Sequence, residues 1–179
     1  RDAGWIALNA AIAGGADVCV IPEIPYDINK IKEKIESRYK KGRGFCIIVV
    51  AEGSRNARGE KVGLKADEPG YSNFKLGGIG QTLKLELQQA GVEHDIRVSV
   101  LGHLQRGGTP IAYDRVLASE FGVKAFELAK SGEFGKMVAY KHPDIIAVTL
   151  EEALKEPHLV SPDSFLVQTA KGLGIEFGG

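Results

Sequence analysis

The sequence predicts an α/β fold of three layers, in which a mostly parallel sheet carries helices on both faces. Two observations favour it. Runs of β-branched residues alternate with helix-like segments along the 179-residue chain, an order typical of parallel sheets. Two of these runs, DVCVIP and FCIIVVA, are almost entirely apolar, as strands buried on both faces are. We find no internal repeat, which argues against a solenoid.

The first two helices are marked by their ends. Residues 3–13 form a helix of small residues that Gly14 and Gly15 close, and the DVCVIP strand follows. Asp27 stands at the N-cap of the second helix, which ends with a basic turn and Gly42. The apolar stripe of this helix recurs at spacings of three and four residues: Ile28, Ile31, Ile35 and Tyr39.

The middle of the chain predicts a strand, a polar connection, a helix and a further strand. FCIIVVAEG supplies the strand, and residues 53–72 form a mobile surface connection rich in Gly, Lys and Arg. GGIGQTLKLELQQAG is a helix that ends at Gly91. HDIRVSVLG alternates with a period of two, which places Ile96 and Val98 on one face and Arg97 on the other.

The last part of the chain predicts a long helix, two short strands and a final helix. Thr109 is a natural N-cap and Pro110 a natural first residue for a helix over about 110–131, which Gly132 ends. KMVAY and IIAVTL are the two strands. The final helix covers about 162–172.

Composition indicates a soluble globular protein and gives no general reason to expect a nucleic-acid or membrane partner. Basic and acidic residues balance at 23 each, whereas a phosphate-backbone binder needs a positive surplus. Cys19 and Cys46 lie inside apolar runs and are interpreted as small buried hydrophobes, which favours a reducing, cytoplasmic setting. The chain opens on Arg1 and not on Met, so we expect further residues upstream.

Polar side chains follow the predicted strands, where parallel sheets bind ligands. Glu23 follows DVCVIP, Glu52 follows FCIIVVA, and His103, Gln105 and Arg106 follow VSVLG. Arginine and histidine beside glycines suit a phosphate monoester, and a carboxylate accepts hydrogen bonds from sugar hydroxyls. Together they describe a sugar-phosphate site.

Each of these residues also has a structural interpretation. Arg106 could cap a helix, His103 could be a satisfied core histidine, and Glu52 could pair with a lysine. Spacing alone does not decide between this and the ligand reading. Arg97 lies on a solvated edge or reaches into a neighbouring subunit, and the pattern favours the edge.

The basic turn after the second helix has two interpretations as well. Lys40, Lys41 and Arg43 complement the helix dipole, or they form a second anion site together with Asp17. The pattern favours the dipole.

Nine positions carry a resemblance to the 6-phosphofructokinases. They are Arg97, Gly102, His103, Gln105, Arg106, Gly107, Gly108, Asp114 and Arg115, with the family's spacing throughout. RDAGWIALNAAIAGGAD is similar to the helix that follows the family's Met-Gly-Arg motif, and IPEIP, KKGRG and AEG are similar to later family segments. The similarity covers essentially the whole chain, most strongly residues 1–22 and 97–118.

The resemblance implies a transferase of glycolysis that phosphorylates fructose 6-phosphate at its 1-hydroxyl. Arg1 matches an arginine that contacts substrate and the transferring phosphoryl group, and Glu52 matches the residue bonded to sugar hydroxyls. His103 and Arg106 match the residues that hold the 6-phosphate, with Gln105 between them. Arg97 matches an arginine donated across a subunit interface, which implies a homo-oligomer.

The resemblance also implies an allosteric site and a missing half. Asp17, Lys41 and Arg43 match the effector-nucleotide site of regulated members, with aspartate in place of the usual glutamate. The donor-phosphate loop, the catalytic base and the Mg²⁺ ligands all precede the point where this chain begins, so residues 1–179 alone are expected to be inactive. ATP is the expected donor, with pyrophosphate the alternative.

The predicted domains follow from the same resemblance. Residues 1–105 belong to the fructose 6-phosphate domain, 106–150 return to pack on the donor domain, and 151–179 form a C-terminal tail. An exposed apolar face is expected on the helix over 110–131. A non-catalytic module that binds a sugar phosphate or a nucleotide is the competing class of function.

Overall fold

A computed structural model describes residues 1–60, 64–65, 74–75 and 78–179, in two compact units. The first unit contains residues 1–100 and 158–179, and the second contains residues 101–157. The helices are α1 (Trp5–Gly14), α2 (Ile28–Lys40), α3 (Ile79–Gln89), α4 (Ala112–Lys130), α5 (Leu150–Leu154) and α6 (Phe165–Gly172). The strands are β1 (Val18–Val20), β2 (Ile48–Val50), β3 (Leu64–Lys65), β4 (Phe74–Lys75), β5 (Lys136–Lys141) and β6 (Asp144–Thr149).

The first unit is built on a parallel pair of strands. β1 and β2 pair in register from Val18 opposite Ile48 to Val20 opposite Val50, and α2 makes the crossover between them. Val18 also forms a parallel bridge to Glu176, near the end of the chain. The predicted parallel pairing of the two apolar runs is confirmed.

Alternate residues of β1 pack into two different apolar clusters, one on each face of the pair. Cys19 packs with buried residues of α1 and α6, whereas Val18 and Val20 pack with buried residues of α2 and α3. All three strand residues are fully buried. Helices therefore cover both faces, as the sequence predicted.

Several predicted helix ends are confirmed by geometry. The Asp27 carboxylate accepts a hydrogen bond from the Asn29 N–H at 2.8 Å, so Asp27 is the N-cap of α2. Gly42 and Gly91 follow α2 and α3 with φ of 78° and 85°, a left-handed conformation that favours glycine. Ile31 and Ile35 of the α2 stripe are buried.

The strand predicted over HDIRVSVLG is wrong for this structure. Residues 95–101 have no strand hydrogen bonds among the described residues. The alternation is present over residues 96–99, since Ile96 and Val98 are half-buried while Arg97 and Ser99 are exposed, but it ends at Val100, which is 65% exposed. Alternating burial does not make a strand by itself, because a strand also needs a neighbouring backbone to pair with.

The polar connection predicted over 53–72 lies partly outside the described residues. Residues 53–60, which are described, form turns around Asn56. The Asn56 side-chain oxygen accepts hydrogen bonds from the N–H groups of Arg58 and Glu60 at 3.0 and 3.1 Å. Asparagine is therefore the local turn former here.

The second unit contains a short 3₁₀ helix over Gly102–Arg106, then α4, a hairpin and α5. β5 and β6 pair antiparallel from Lys136 opposite Thr149 to Lys141 opposite Asp144, which leaves a two-residue connection. So short a connection permits only antiparallel pairing, so these strands depart from the mostly parallel pattern.

The predicted N-cap of α4 is wrong. The helix begins at Ala112, and the Asp114 carboxylate accepts from the Ile111 N–H at 3.0 Å. Thr109 and Pro110 precede the helix, because an acidic side chain three residues beyond Ile111 reaches back to this N–H. α6 likewise begins later than predicted, at Phe165, after the N-cap Ser164.

The expected apolar face of α4 is exposed. Val116, Val123 and Phe126 recur at helical spacing and are 58%, 61% and 69% exposed.

None of the helices that the structure describes is long and apolar enough to cross a membrane.

Candidate functional site

Glu52 lies in a tight turn directly after β2. The Ala51 N–H donates to the Val20 carbonyl at 2.9 Å, which continues the parallel pairing to the carboxyl ends of β1 and β2. The fully buried Ser54 hydroxyl lies 2.7 Å from the Ala51 carbonyl oxygen and 3.0 Å from that of Val20. Ser54 therefore fixes the turn that carries Glu52, a role that its place in a polar connection did not reveal.

Arg1 lies beside the same turn. A Cβ atom added at Gly53 would stand 2.1 Å from the Arg1 carbonyl oxygen, so the two backbones are in direct contact. The Arg1 side chain is 66% exposed, and its Nε lies 4.0 Å from Asp2 Oδ2. The structure thus brings Arg1 and Glu52, two of the predicted site residues, together at the carboxyl end of β2.

Replacing Gly53 with alanine will disturb this contact. The new Cβ forces the Arg1 backbone away, and we expect the free energy of unfolding to fall by about 1–3 kcal/mol in urea denaturation. Gly44→Ala is the matched control, because a Cβ at Gly44 meets no atom within 4 Å. Equal stability of the two variants would contradict the close approach.

His103 and Arg106 lie three residues apart in the 3₁₀ helix over Gly102–Arg106. Side chains at this spacing eclipse one another in a 3₁₀ helix, so the imidazole and the guanidinium share one side. Both residues are exposed, as is Gln105. The reading of His103 as a satisfied core histidine is therefore wrong.

The glycines around this helix adopt conformations that other residues rarely reach. Gly102 has φ of 51° and Gly108 has φ of 100°. Gly107 donates its N–H to the Leu104 carbonyl at 3.1 Å and closes the helix. The glycine pair therefore turns the chain immediately after Arg106, as the sequence suggested. His103 and Arg106, which the sequence predicts to bind an anion, belong to the second unit, whereas Arg1 and Glu52 belong to the first.

Arg97 forms an exposed ion pair with Asp95. Its Nε lies 3.0 Å from Asp95 Oδ2, and the two side chains are 90% and 73% exposed. So exposed a pair contributes little to stability. The guanidinium is accordingly available to another partner.

Asp17 is held in an internal ion pair. The Arg38 Nε lies 2.8 Å from Asp17 Oδ1, and the Ile47 N–H donates to Oδ2 at 2.9 Å. Asp17 is only 7% exposed. It therefore ties β1 to α2 and to the residues before β2, while Lys41 and Arg43 are exposed in the turn after α2. Sequence reasoning missed Arg38, whose position within a basic helix end did not distinguish it.

Asp17→Asn will lower the free energy of unfolding by more than is usual for a change from aspartate to asparagine. It leaves the Arg38 guanidinium, itself largely buried, without its counter-charge. We expect a loss of about 3 kcal/mol in the free energy of unfolding, measured by urea denaturation. Asp95→Asn, which breaks the exposed pair with Arg97, is the control and should change stability by less than about 0.5 kcal/mol. Similar losses in both variants would show that the Asp17 pair is not special.

Cys19 is buried, as the sequence predicted, whereas Cys46 is half-buried. Burial raises the pKa of the Cys19 thiol to about 12 and the pKa of the Cys46 thiol to about 11. The thiols are therefore protonated near neutral pH and poor nucleophiles. Within the described part of the chain, no three His, Cys, Asp or Glu side chains group as metal ligands.

The first unit is a parallel α/β unit that brings Arg1 and Glu52 together at the carboxyl end of β2, and the glycine-flanked turn with His103 and Arg106 lies in the second unit. A family model described as Phosphofructokinase matches residues 1–129. The chain belongs to the phosphofructokinase family.

Two relatives show the degree of similarity. The chain is 48% identical over 177 residues to ATP-dependent 6-phosphofructokinase 2 of Clostridium perfringens. It is 45% identical over 178 residues to the ATP-dependent 6-phosphofructokinase of Chloroflexus aurantiacus. Each alignment covers 99% of this chain and 48% of the relative. The chain therefore spans about half the length of these relatives.

Solved structures agree on the fold. Phosphofructokinase of Saccharomyces cerevisiae is 30% identical, with a TM-score of 0.66 over 97% of this chain and 20% of that one. A pyrophosphate-dependent phosphofructokinase of Marinobacter aquaeolei is 21% identical, with a TM-score of 0.69 over 99% of this chain and 42% of that one. The second likeness concerns the fold alone. The α/β class predicted from the sequence is confirmed.

Proposed function

We propose that this chain is the acceptor-side half of an ATP-dependent 6-phosphofructokinase. The reaction transfers the γ-phosphoryl group of ATP to the 1-hydroxyl of fructose 6-phosphate, and gives fructose 1,6-bisphosphate, ADP and a proton. The observation that carries the proposal is the exposed pair of His103 and Arg106 on one side of a glycine-flanked turn. The relatives named above, at 45–48% identity, support the substrate and the donor.

The side chains divide the substrate between them. His103 and Arg106 hold the 6-phosphate by charge and hydrogen bonds, with Gln105 as a further donor. Glu52 accepts hydrogen bonds from sugar hydroxyls. Arg1 places its guanidinium on the transferring phosphoryl group, where it offsets the charge that spreads over the equatorial oxygens. The contact between Gly53 and the Arg1 backbone keeps these last two residues adjacent.

The donor side belongs to a segment that the longer relatives contain and this chain does not. We propose that this N-terminal half is the partner of the exposed stripe on α4 and supplies the catalytic base. We also propose that the ligands of Mg²⁺ lie there, as the resemblance to the family implies. Bound Mg²⁺ neutralises phosphate charge in phosphoryl transfer. A cytoplasmic homo-oligomer, with Arg97 reaching the neighbouring subunit, completes the proposal.

Regulation is proposed at the turn after α2. Lys41 and Arg43 are exposed there and can contact an effector phosphate. Asp17, however, already binds Arg38 and the Ile47 N–H, so an effector that uses Asp17 has to displace this pair. An allosteric response through Asp17 therefore requires a local rearrangement of α2.

The test is a comparison of donors with the complete polypeptide that contains this chain. Fructose 1,6-bisphosphate formation is measured with ATP and with pyrophosphate at equal concentrations. We expect ATP to support turnover at least 100-fold better. A preference for pyrophosphate would overturn the assignment of ATP as the donor. Binding of fructose 6-phosphate without turnover with either donor would favour a non-catalytic module. Residues 1–179 alone are expected to show no turnover.

A further inference from the structure

Glu23 lies just after β1 and holds the segment that leads from Arg1 into α1. Its Oε1 accepts a hydrogen bond from the Gly4 N–H at 2.9 Å. A Cβ at Gly4 would stand 2.8 Å from Glu23 Oε2 and 2.5 Å from Ile21 Cβ. Only glycine therefore lets the backbone at position 4 come this close to Ile21 and Glu23. Glu23 therefore fixes Gly4, three residues from Arg1.

A second segment completes the arrangement from the far end of the chain. The Val160 N–H donates to the same Oε1 at 2.9 Å, and Val160 is 1% exposed. The Trp5 indole Nε1 donates to the His158 carbonyl at 2.8 Å, and the two rings stack with centroids 4.9 Å apart. One carboxylate oxygen thus joins the start of α1 to the segment before α6.

The Arg1 segment is therefore held on both sides. Gly4 is bonded to Glu23, and the Arg1 carbonyl lies against Gly53, the residue after Glu52. The Arg1 side chain, in contrast, is largely exposed, and its Nε lies 4.0 Å from Asp2 Oδ2. Its position relative to Glu52 is thus set through the backbone.

We propose that Glu23 is a positioning residue for Arg1. Through the Gly4 N–H it sets where the Arg1 guanidinium stands relative to Glu52, and hence to the phosphoryl group in transfer. The inference rests on the proposed function, because it assigns Arg1 to the transferring group. Glu23 itself touches no substrate in this scheme.

The carboxylate chemistry suggests which substitutions separate positioning from folding. Oε2 is buried and has no hydrogen-bond partner among the described residues, so the two bonds that matter both end on Oε1. Glutamine retains one oxygen that can accept both bonds, whereas alanine retains none. Aspartate keeps the charge but is one methylene shorter, so its oxygen falls short of Gly4.

The experiment uses the complete enzyme and measures kcat and KM for fructose 6-phosphate. We expect Glu23→Ala to lower kcat about 10- to 100-fold with a smaller change in KM, because small displacements of catalytic groups cost this much. Glu23→Gln should stay within about three-fold of the parent enzyme. If Glu23→Ala does not fold, Glu23→Asp replaces it with the same expectation.

A double-mutant cycle with Arg1→Ala gives the readout that a purely structural role would not move. Glu23→Ala should add no further loss of kcat once Arg1 is absent. Tyr26→Phe, which removes the hydrogen bond between the Tyr26 hydroxyl and Glu86 in the same unit, is the control and should leave kcat unchanged.

Two outcomes would overturn the inference and leave the proposed function standing. One is an unchanged kcat in Glu23→Ala while Arg1→Ala is impaired, and the other is losses that multiply in the double variant. If Arg1→Ala itself has no effect on kcat, the proposed role of Arg1 is wrong and the positioning role falls with it.

Discussion

Arg106→Ala in the complete enzyme will raise KM for fructose 6-phosphate roughly 10- to 100-fold. Arg106 is exposed at the end of the 3₁₀ helix and shares a side with His103, so it is free to bind a phosphate from solution. A hydrogen bond to a charged group contributes about 1.5–3 kcal/mol, which corresponds to that range. Steady-state kinetics with varied fructose 6-phosphate, and calorimetry of binding, measure the change.

The control for Arg106 removes a positive charge elsewhere in the same unit. Lys130 ends α4 and is exposed, so Lys130→Ala should leave KM within about two-fold. Fructose lacking the 6-phosphate gives a second check, because the variant and the parent enzyme should bind it equally weakly. An unchanged KM in Arg106→Ala would contradict the proposal that this turn binds the 6-phosphate.

Arg97→Ala will impair the enzyme, and mixing it with a second impaired variant will restore part of the activity. If Arg97 reaches a neighbouring subunit, each site combines Arg97 of one subunit with Arg106 of another. Hybrids of Arg97→Ala and Arg106→Ala subunits then contain some sites with both arginines intact. We expect each variant alone to lose about 10-fold or more in kcat/KM, and co-refolded mixtures to recover part of that loss.

A control variant and a contradicting outcome test whether Arg97 acts across subunits. Asp95→Asn removes the ion pair with Arg97 and should leave activity unchanged, since both side chains are largely exposed. A mixture no more active than the mean of its two components would show that Arg97 acts within its own subunit or not at all.

Local signals predicted most of the first unit. Asp27, Gly42 and Gly91 determine helix ends through their own backbone and side-chain chemistry, so their roles are visible in sequence. The apolar runs of β1 and β2 likewise predicted burial on both faces. These features depend on residues within a few positions of one another.

Features that depend on distant partners were predicted poorly. The HDIRVSVLG segment has the alternation of a strand but no partner among the described residues. Thr109 was predicted as the N-cap of α4, and the structure shows instead that the Asp114 carboxylate accepts from the Ile111 N–H. A pattern along the chain cannot report which backbone comes near.

The candidate site shows the same division. His103, Gln105, Arg106 and Glu52 were recognisable because they follow apolar runs or match a family motif. Ser54, Arg38 and the bonds of Glu23 were not, because each acts on residues that are remote in sequence. Sequence therefore indicated the exposed candidate residues better than the residues that hold the surrounding backbone in place.

The return of residues 158–179 to the first unit has a consequence for how the protein is made. Glu176 pairs with Val18, and Val160 and Phe177 lie in the cluster around Cys19. The ribosome synthesises these residues only after the whole second unit. The first unit therefore lacks its last core residues at a time when every residue of the second unit has been synthesised. During that interval the α1 face of β1 is open, and a chaperone that binds apolar segments would find it there.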